Sequence, residues 1–410
     1  MKLLIIHYIN DKNYFITIKE LVYVMSDNES VLIYGLSTEG YMIASSLVSN
    51  SIPTIIIDEK LHLATEITHD IITNYPTATE FIEAESLFRI KPEKDVVSKN
   101  KIIFFTPKIH NYDNLNQTLS SFSDLSKGIE KDSIIFSCVP IGYGHNNELI
   151  EILERNSGLD SQKDFVYCYV PLKPRTTSAL CVGISRLDQI KIANEHLKNT
   201  NIKYSQISDL YLSELKHLEY ISSKYSAIIS SSESMKYIKD FISRKDLESS
   251  SRGVKYIDDL SDELYDVKCF SSSLDSGEPL LYILSGILKG IEYYSRFFIT
   301  ELKSFMKENQ LKASRTEIYL SWEIDKFEIR GDKILLHDAI LNKITDLVGN
   351  VIDLNDYLSN NPKRVISLPS SEKKQLLIIC SNQDLQQLDI INAKKQDDIY
   401  LLHANTICDR

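Results

Sequence analysis

Glycine is scarce in this chain, with 13 in 410 residues, about half the usual ~7%. Glycine loops that cradle phosphates are therefore expected to be few or altered. The six cysteines stand apart at 138, 168, 181, 269, 380 and 408. No C-x-x-C pair and no dense framework exists, which excludes a disulfide scaffold and points to reduced thiols and a cytoplasmic setting. Basic residues are outnumbered: Lys plus Arg is 46, Asp plus Glu is 57, and the net charge is −11. Such a chain has no bulk attraction for nucleic acid or anionic lipid, so neither partner is expected. No apolar run approaches the ~18 residues of a transmembrane helix. The stretch Met1–Ile6 is too short for a signal-peptide core and has no small-residue cleavage site after it. Residues 1–28 are read as an N-terminal extension outside the main fold, with Met25 as an alternative start. The nine histidines show no metal spacing, and no metal is expected.

What is present is ordinary globular material, 43% hydrophobic and 25% charged, in a length that allows two or three domains. Short apolar runs at Ser30–Tyr34, Ile52–Ile57, Ile102–Phe105, Ile134–Ser137 and Phe165–Val170 alternate with helix-like stretches. That order predicts parallel βαβ units in a doubly wound sheet. From about 205 to 310 strand runs almost vanish. Leu280, Ile283, Leu284, Ile287, Leu288, Ile291, Tyr294, Phe298, Leu302 and Phe305 fall in steps of three and four, one wide apolar face on a long helix. The Ser-rich pieces 229–234, 249–251 and 271–273 read as loops or helix ends. Strand signals return at Glu317–Leu320, Asn350–Leu354 and Gln375–Cys380, with a helix over Lys333–Val348. The fold class expected is α/β: a Rossmann-like domain over 29–200, a helical domain over 201–312, and a smaller C-terminal α/β domain over 313–410.

The first βα turn reads Gly35-Leu36-Ser37-Thr38-Glu39-Gly40. It is the dinucleotide fingerprint G-x-G-x-x-G with serine in the middle. The first glycine permits the tight turn, and the middle one lets backbone approach a pyrophosphate at the helix N-terminus. Asp58 closes the next strand, where an acid can bond ribose hydroxyls. Ser37 adds a side chain where backbone should come close, and Glu39 adds negative charge near the phosphates. A βαβ unit that merely packs tightly is the competing reading.

Further motifs fall in register behind this turn. Phe105-Thr106-Pro107 resembles V-P-T-P, and Ser137-Cys138-Val139-Pro140-Ile141-Gly142 resembles S-T-V-P-P-G. Ser157-Gly158-Leu159, Asp164-Phe165 and Tyr169-Val170-Pro171-Leu172-Lys173 resemble S-G-L, D-F and Y-S-P-E-R. Leu215–Tyr220 resembles V-K-L-L-E-N, and Ile318–Asp325 with Arg330 resembles L-G-L-A-Y-K-P-D…R-E-S-P. Leu376–Ile390 resembles a late strand and its H-D-E-F turn. In order and spacing the chain resembles the nucleotide-sugar dehydrogenases, the UDP-glucose, GDP-mannose and UDP-N-acetylmannosamine dehydrogenase family. The resemblance implies an NAD-binding domain, a central helical domain that forms a homodimer, and a C-terminal nucleotide-sugar domain. It implies two-step oxidation of a UDP- or GDP-sugar alcohol by NAD. It places Gly35, Ser37, Gly40, Asp58, Thr106, Pro107 and Cys138 at the cofactor, Lys216 and Cys269 in catalysis, and Asp325 and Arg330 at the substrate.

The departures fall on the catalytic posts. Cys138 replaces a threonine, Leu172 a glutamate and Tyr220 an asparagine. The G-G-x-C-x-P-x-D loop survives only as Lys268–Asp275, without its glycines. Lys216 is either an oxyanion holder or a solvated lysine, and Cys269 either a nucleophile or a small packed hydrophobe. Three functions stay open: an oxidoreductase with an altered site, a pseudoenzyme that keeps the fold and nucleotide or nucleotide-sugar binding and acts as a regulatory or oligomer partner, or a purely structural descendant that binds neither ligand.

Overall fold

The computed structural model describes residues 30–84, 91–92, 94–109, 111–238, 255–354, 371, 373–387, 399–406 and 408. The expected extension 1–28, the Ser-rich piece 249–251 and the end of the Leu376–Ile390 motif lie outside the described residues.

The first sheet runs β4-β3-β2-β1-β5-β6-β7-β8-β9. Its strands are β1 (Val31–Tyr34), β2 (Thr54–Asp58), β3 (Leu63–Ile67), β4 (Lys91–Pro92), β5 (Ile102–Phe105), β6 (Ser133–Ser137), β7 (Phe165–Tyr169), β8 (Val182–Ile184) and β9 (Ile207–Asp209). The central five pair in parallel in the order β2-β1-β5-β6-β7. Strands β1, β5, β6 and β7 are buried at every position, as parallel strands covered on both faces must be. Helices α1 (Thr38–Ser49), α2 (Leu115–Ser126), α3 (Asn146–Ser157) and α4 (Ile190–Asn199) belong to this half. The edges add antiparallel strands to the predicted parallel βαβ units. Strands β3 and β4 add an antiparallel hairpin on one side, and β8 runs antiparallel to β7 on the other. Strands β4 and β8 are only two and three residues long, and β3 (Leu-Ala-Thr-Glu-Ile) breaks its apolar run with Thr65 and Glu66, so none of them carries a readable apolar run.

Two long helices follow, α5 (Leu210–Ile238) and, after α6 (Ile257–Ser261) and α7 (Leu264–Ser273), α8 (Pro279–Glu308). Helix α8 starts with proline in its first turn, where a missing N–H costs nothing. Its predicted stripe is buried from Leu284 through Phe305, and Leu284, Ile287 and Ile291 pack on Leu218, Ile221 and Tyr225 of α5. Residues 229–234 are not a loop: they lie inside α5. The Ser231 and Ser232 side chains are buried, and Ser234 donates to the Ser230 carbonyl, so the hydroxyls find partners within the helix. Ser271–Ser273 do end a helix, α7.

The second sheet runs β11-β10-β12-β13, all parallel. It comprises β10 (Thr316–Ser321), helix α9 (Asp332–Val348), β11 (Val351–Asp353), β12 (Lys374–Ile379) and β13 (Ile399–His403). Trp322, at the end of β10, is fully buried, and its indole N–H donates to Asp258 at 2.8 Å. Among the described residues no helix is long and apolar enough to cross a membrane. All six cysteines are free and buried.

Candidate functional site

In open parallel sheets, ligands bind outside the strand C-termini where the winding reverses. In the first sheet that point lies between β1 and β5, at the turn Gly35–Gly40. Ser37 is extended and caps α1, its hydroxyl accepting the Gly40 N–H at 3.1 Å. Gly35 has φ +117° and lies so close to β5 that a Cβ there would stand 2.3 Å from the Pro107 nitrogen. A Cβ on Gly40 would stand 2.4 Å from the Thr106 hydroxyl oxygen. That hydroxyl donates to the Gly35 carbonyl at 3.1 Å. Both fingerprint glycines are thus required by contacts inside the protein.

The Leu36 and Thr38 amides of the turn meet protein acceptors. Leu36 N–H and Lys108 N–H donate to the two oxygens of Glu59, at 3.0 and 2.9 Å. Thr38 N–H donates to the Phe327 carbonyl at 2.7 Å, and the Thr38 hydroxyl to Asp325 at 2.6 Å. Glu39 has no solvent exposure and accepts the backbone N–H of Arg175 (3.0 Å) and of Ile329 (2.9 Å). Burial pushes its carboxyl up, against those bonds and the Arg330 charge. Asp58 Oδ1 accepts the N–H groups of Lys60 and Leu61 in its own turn. Cys138 is fully buried, and burial pushes its thiol well up.

Behind the turn lies a buried ionic cluster. Arg330 grips Asp266 with two bonds, Nε to Oδ1 at 2.6 Å and Nη2 to Oδ2 at 2.9 Å. His217 Nε2 lies 3.2 Å from the same carboxylate, and its Nδ1 meets the Tyr169 hydroxyl at 2.9 Å. Burial alone would lift the Asp266 carboxyl, but the Arg330 guanidinium and His217 outweigh it and hold it below its usual value. Arg175 reaches Asp262 (3.0 Å), Asp258 (3.6 Å) and Glu328 (3.9 Å), and Lys333 pairs with Asp258 and Asp262.

No family model matches the chain, and no curated protein matches its sequence. Solved structures do match it over nearly its whole length. The UDP-D-ManNAc dehydrogenase of Pyrococcus horikoshii superposes with a TM-score of 0.62 at 12% identity, covering 93% of this chain and 96% of that one. A UDP-glucose dehydrogenase from Pyrobaculum islandicum gives 0.61 at 11% identity, with 92% and 94% covered. The fold is that of the nucleotide-sugar dehydrogenases. The Staphylococcus aureus UDP-N-acetyl-mannosamine dehydrogenase Cap5O is similar at a TM-score of 0.54 and 12% identity, with 92% and 99% covered.

On the nucleotide-sugar dehydrogenase fold, the predicted catalytic residues stand as follows. Lys216 is half-exposed on α5, whereas its neighbour His217 faces the buried cluster. Cys269 sits inside helix α7, not on a loop, with no exposure and its thiol against the Pro140 carbonyl at 3.7 Å. Leu172 is fully buried. Tyr220 lies under the ammonium groups of Lys173 and Lys224, 5.3 and 5.9 Å from its ring centre. Asp325 and Arg330, predicted at the substrate, are tied to Thr38 and Asp266. Sequence reasoning missed Glu59, Arg175, His217 and Asp266. Glu59 stood next to the acid that was singled out, and His217 next to the lysine. The two cavities of about 500 and 340 Å³ lie elsewhere, one at the N-terminal ends of β1 and β5, the other beside Tyr211 and Asp209.

Proposed function

We propose that this chain is a non-catalytic protein on the nucleotide-sugar dehydrogenase fold, serving as a structural or interaction partner and not as an oxidoreductase. The observation that carries the proposal is Cys269. A covalent trap must be a thiolate that reaches substrate. This thiol is enclosed in α7, and burial pushes it well above the ordinary thiol value, with Asp266 and Asp332 adding to the effect. Supporting it, an apolar Leu172 stands where the resemblance asks for a carboxylate, and His217 is committed to Asp266. An oriented base is worth about 10²–10⁴ in rate, so several such losses together leave little chemistry. NAD is not part of this proposal, because the Leu36 and Thr38 amides, which open the turn and the helix, are already bonded to protein oxygens.

Incubation of the purified chain with NAD and a panel of UDP- and GDP-sugars is expected to give no NADH absorbance above the enzyme-free control. Turnover that Cys269→Ser abolishes would overturn the proposal. The resemblance's homodimer remains part of it. Helix α8 exposes Tyr282, Ile283 and Tyr293, apolar area that a second copy would cover. Light scattering should give twice the 47.0 kDa chain mass, and Tyr282→Glu with Tyr293→Glu should shift it to one chain. A monomer in the unmutated protein removes this part.

A further inference from the structure

The loop from Asp325 to Arg330 leaves the second sheet after β10 and returns into α9. On the way it crosses to the first sheet and lies on the turn that opens α1. The first amides of any helix have no intrahelical acceptor, and this is what makes a helix start attractive to phosphates. Here the Phe327 carbonyl takes the Thr38 N–H. Asp325 holds the Thr38 hydroxyl with one oxygen and the Phe327 N–H (2.8 Å) with the other, which fixes that carbonyl in place. The Ile329 N–H reaches Glu39, and the Ile329 carbonyl takes the Ile109 N–H at 3.0 Å. The strap ends at Arg330, gripped by Asp266. The Lys108 ammonium lies 4.6 Å from the centre of the Phe327 ring.

We propose that residues 325–330 are a built-in occupant of the dinucleotide crevice: the strap takes the Thr38 N–H and hydroxyl at the helix start, where a pyrophosphate would lie, excludes NAD-type dinucleotides, and fastens the second sheet to the first. Charge argues the same way as geometry. Glu39, Glu59 and Asp325 place three carboxyl groups around this helix start, and a dianionic ligand would have to lie among them. Glu39, an odd residue for a phosphate site, is explained as the acceptor for Ile329 and Arg175.

The inference stands on contacts separate from Cys269, and its failure is separable from that of the non-catalytic reading. Hydrogen exchange on the full chain reads it directly. The Thr38 amide is expected to exchange at least ~100-fold more slowly than an unprotected amide, unlike an uncapped first-turn N–H. Asp325→Ala is expected to speed exchange at least ~10-fold in both 36–39 and 327–329, while β12 stays unchanged. Exchange of Thr38 at the unprotected rate, or faster exchange confined to the mutated loop, overturns the proposal. NADH titrated to ~2 mM is expected to show no saturable fluorescence change in the unmutated chain. Saturable binding without turnover overturns the strap alone, and turnover with NAD overturns both readings.

Discussion

Asp266→Ala is expected to lower the unfolding free energy by about 3–5 kcal/mol, the cost of leaving a buried charge without its partner. Asp266 is fully buried, and Arg330 is only 2% exposed. Removing the carboxylate strands the guanidinium, whose Nη1 already has no hydrogen-bond partner, together with the His217 imidazole. Three segments meet at this carboxylate: α5 through His217, α7 through Asp266 itself, and the strap through Arg330. The loss should therefore be cooperative across the molecule. Urea unfolding followed by tryptophan fluorescence measures it, since the one tryptophan, Trp322, is buried nearby in sequence to the strap. A double-mutant cycle with Arg330→Ala should return a coupling of about 2 kcal/mol or more. Additive losses would show that the pair acts as two unrelated side chains. The pH dependence has a definite sign. The folded carboxyl is held below its unfolded value, so its contribution is present above the unfolded value near ~4 and is lost as pH falls through the folded one. The difference between Asp266→Ala and the parent should shrink in acid for that reason. A gap that is unchanged down to the acid transition would contradict the ion-pair account.

The second large effect is expected at Gly35. Gly35→Ala combines two costs. The backbone is at φ +117°, a region that side chains disfavour, and the new Cβ would fall 2.3 Å from the Pro107 nitrogen, an atom of the backbone that cannot rotate away. Strain and overpacking together amount to about 3 kcal/mol or more. Gly144→Ala is the control. Its φ is +81°, but nothing lies within 4 Å of the added atom, so it should carry the conformational cost alone, about 1–2 kcal/mol. Thermal unfolding of the two variants separates the terms. Equal losses would mean that the close approach of β1 and β5 at this turn is not a constraint. The comparison also bears on ligand experiments. A bulky residue at Gly40 meets Thr106, so a binding defect in such a variant reports a damaged turn and says nothing of a phosphate.

The strand runs, their alternation with helices and the long stripe of α8 were all legible, because strands covered on both faces read as continuous apolar runs and a buried helix face repeats every 3.6 residues. The antiparallel edges were not, because strands of two or three residues, or one interrupted by Thr65 and Glu66, leave no such pattern. The serines inside α5 misled for a related reason: serine favours loops in isolation, and only packing against α8 keeps these in a helix. Gly35 and Gly40 fall in the first βα turn as their spacing predicts, but their close approach to Pro107 and Thr106 is a contact that spacing cannot reveal.

By itself the sequence determined the architecture and the order of its parts, since those follow from local periodicity and from motifs a few residues long. Only the tertiary structure decided what fills the crevice. Glu39 meets Ile329 across 290 positions and Arg175 across 136, and Thr38 meets Asp325 across 287. A buried polar group must find a partner, but which one it finds depends on chain segments brought together by the fold. No local pattern records that choice.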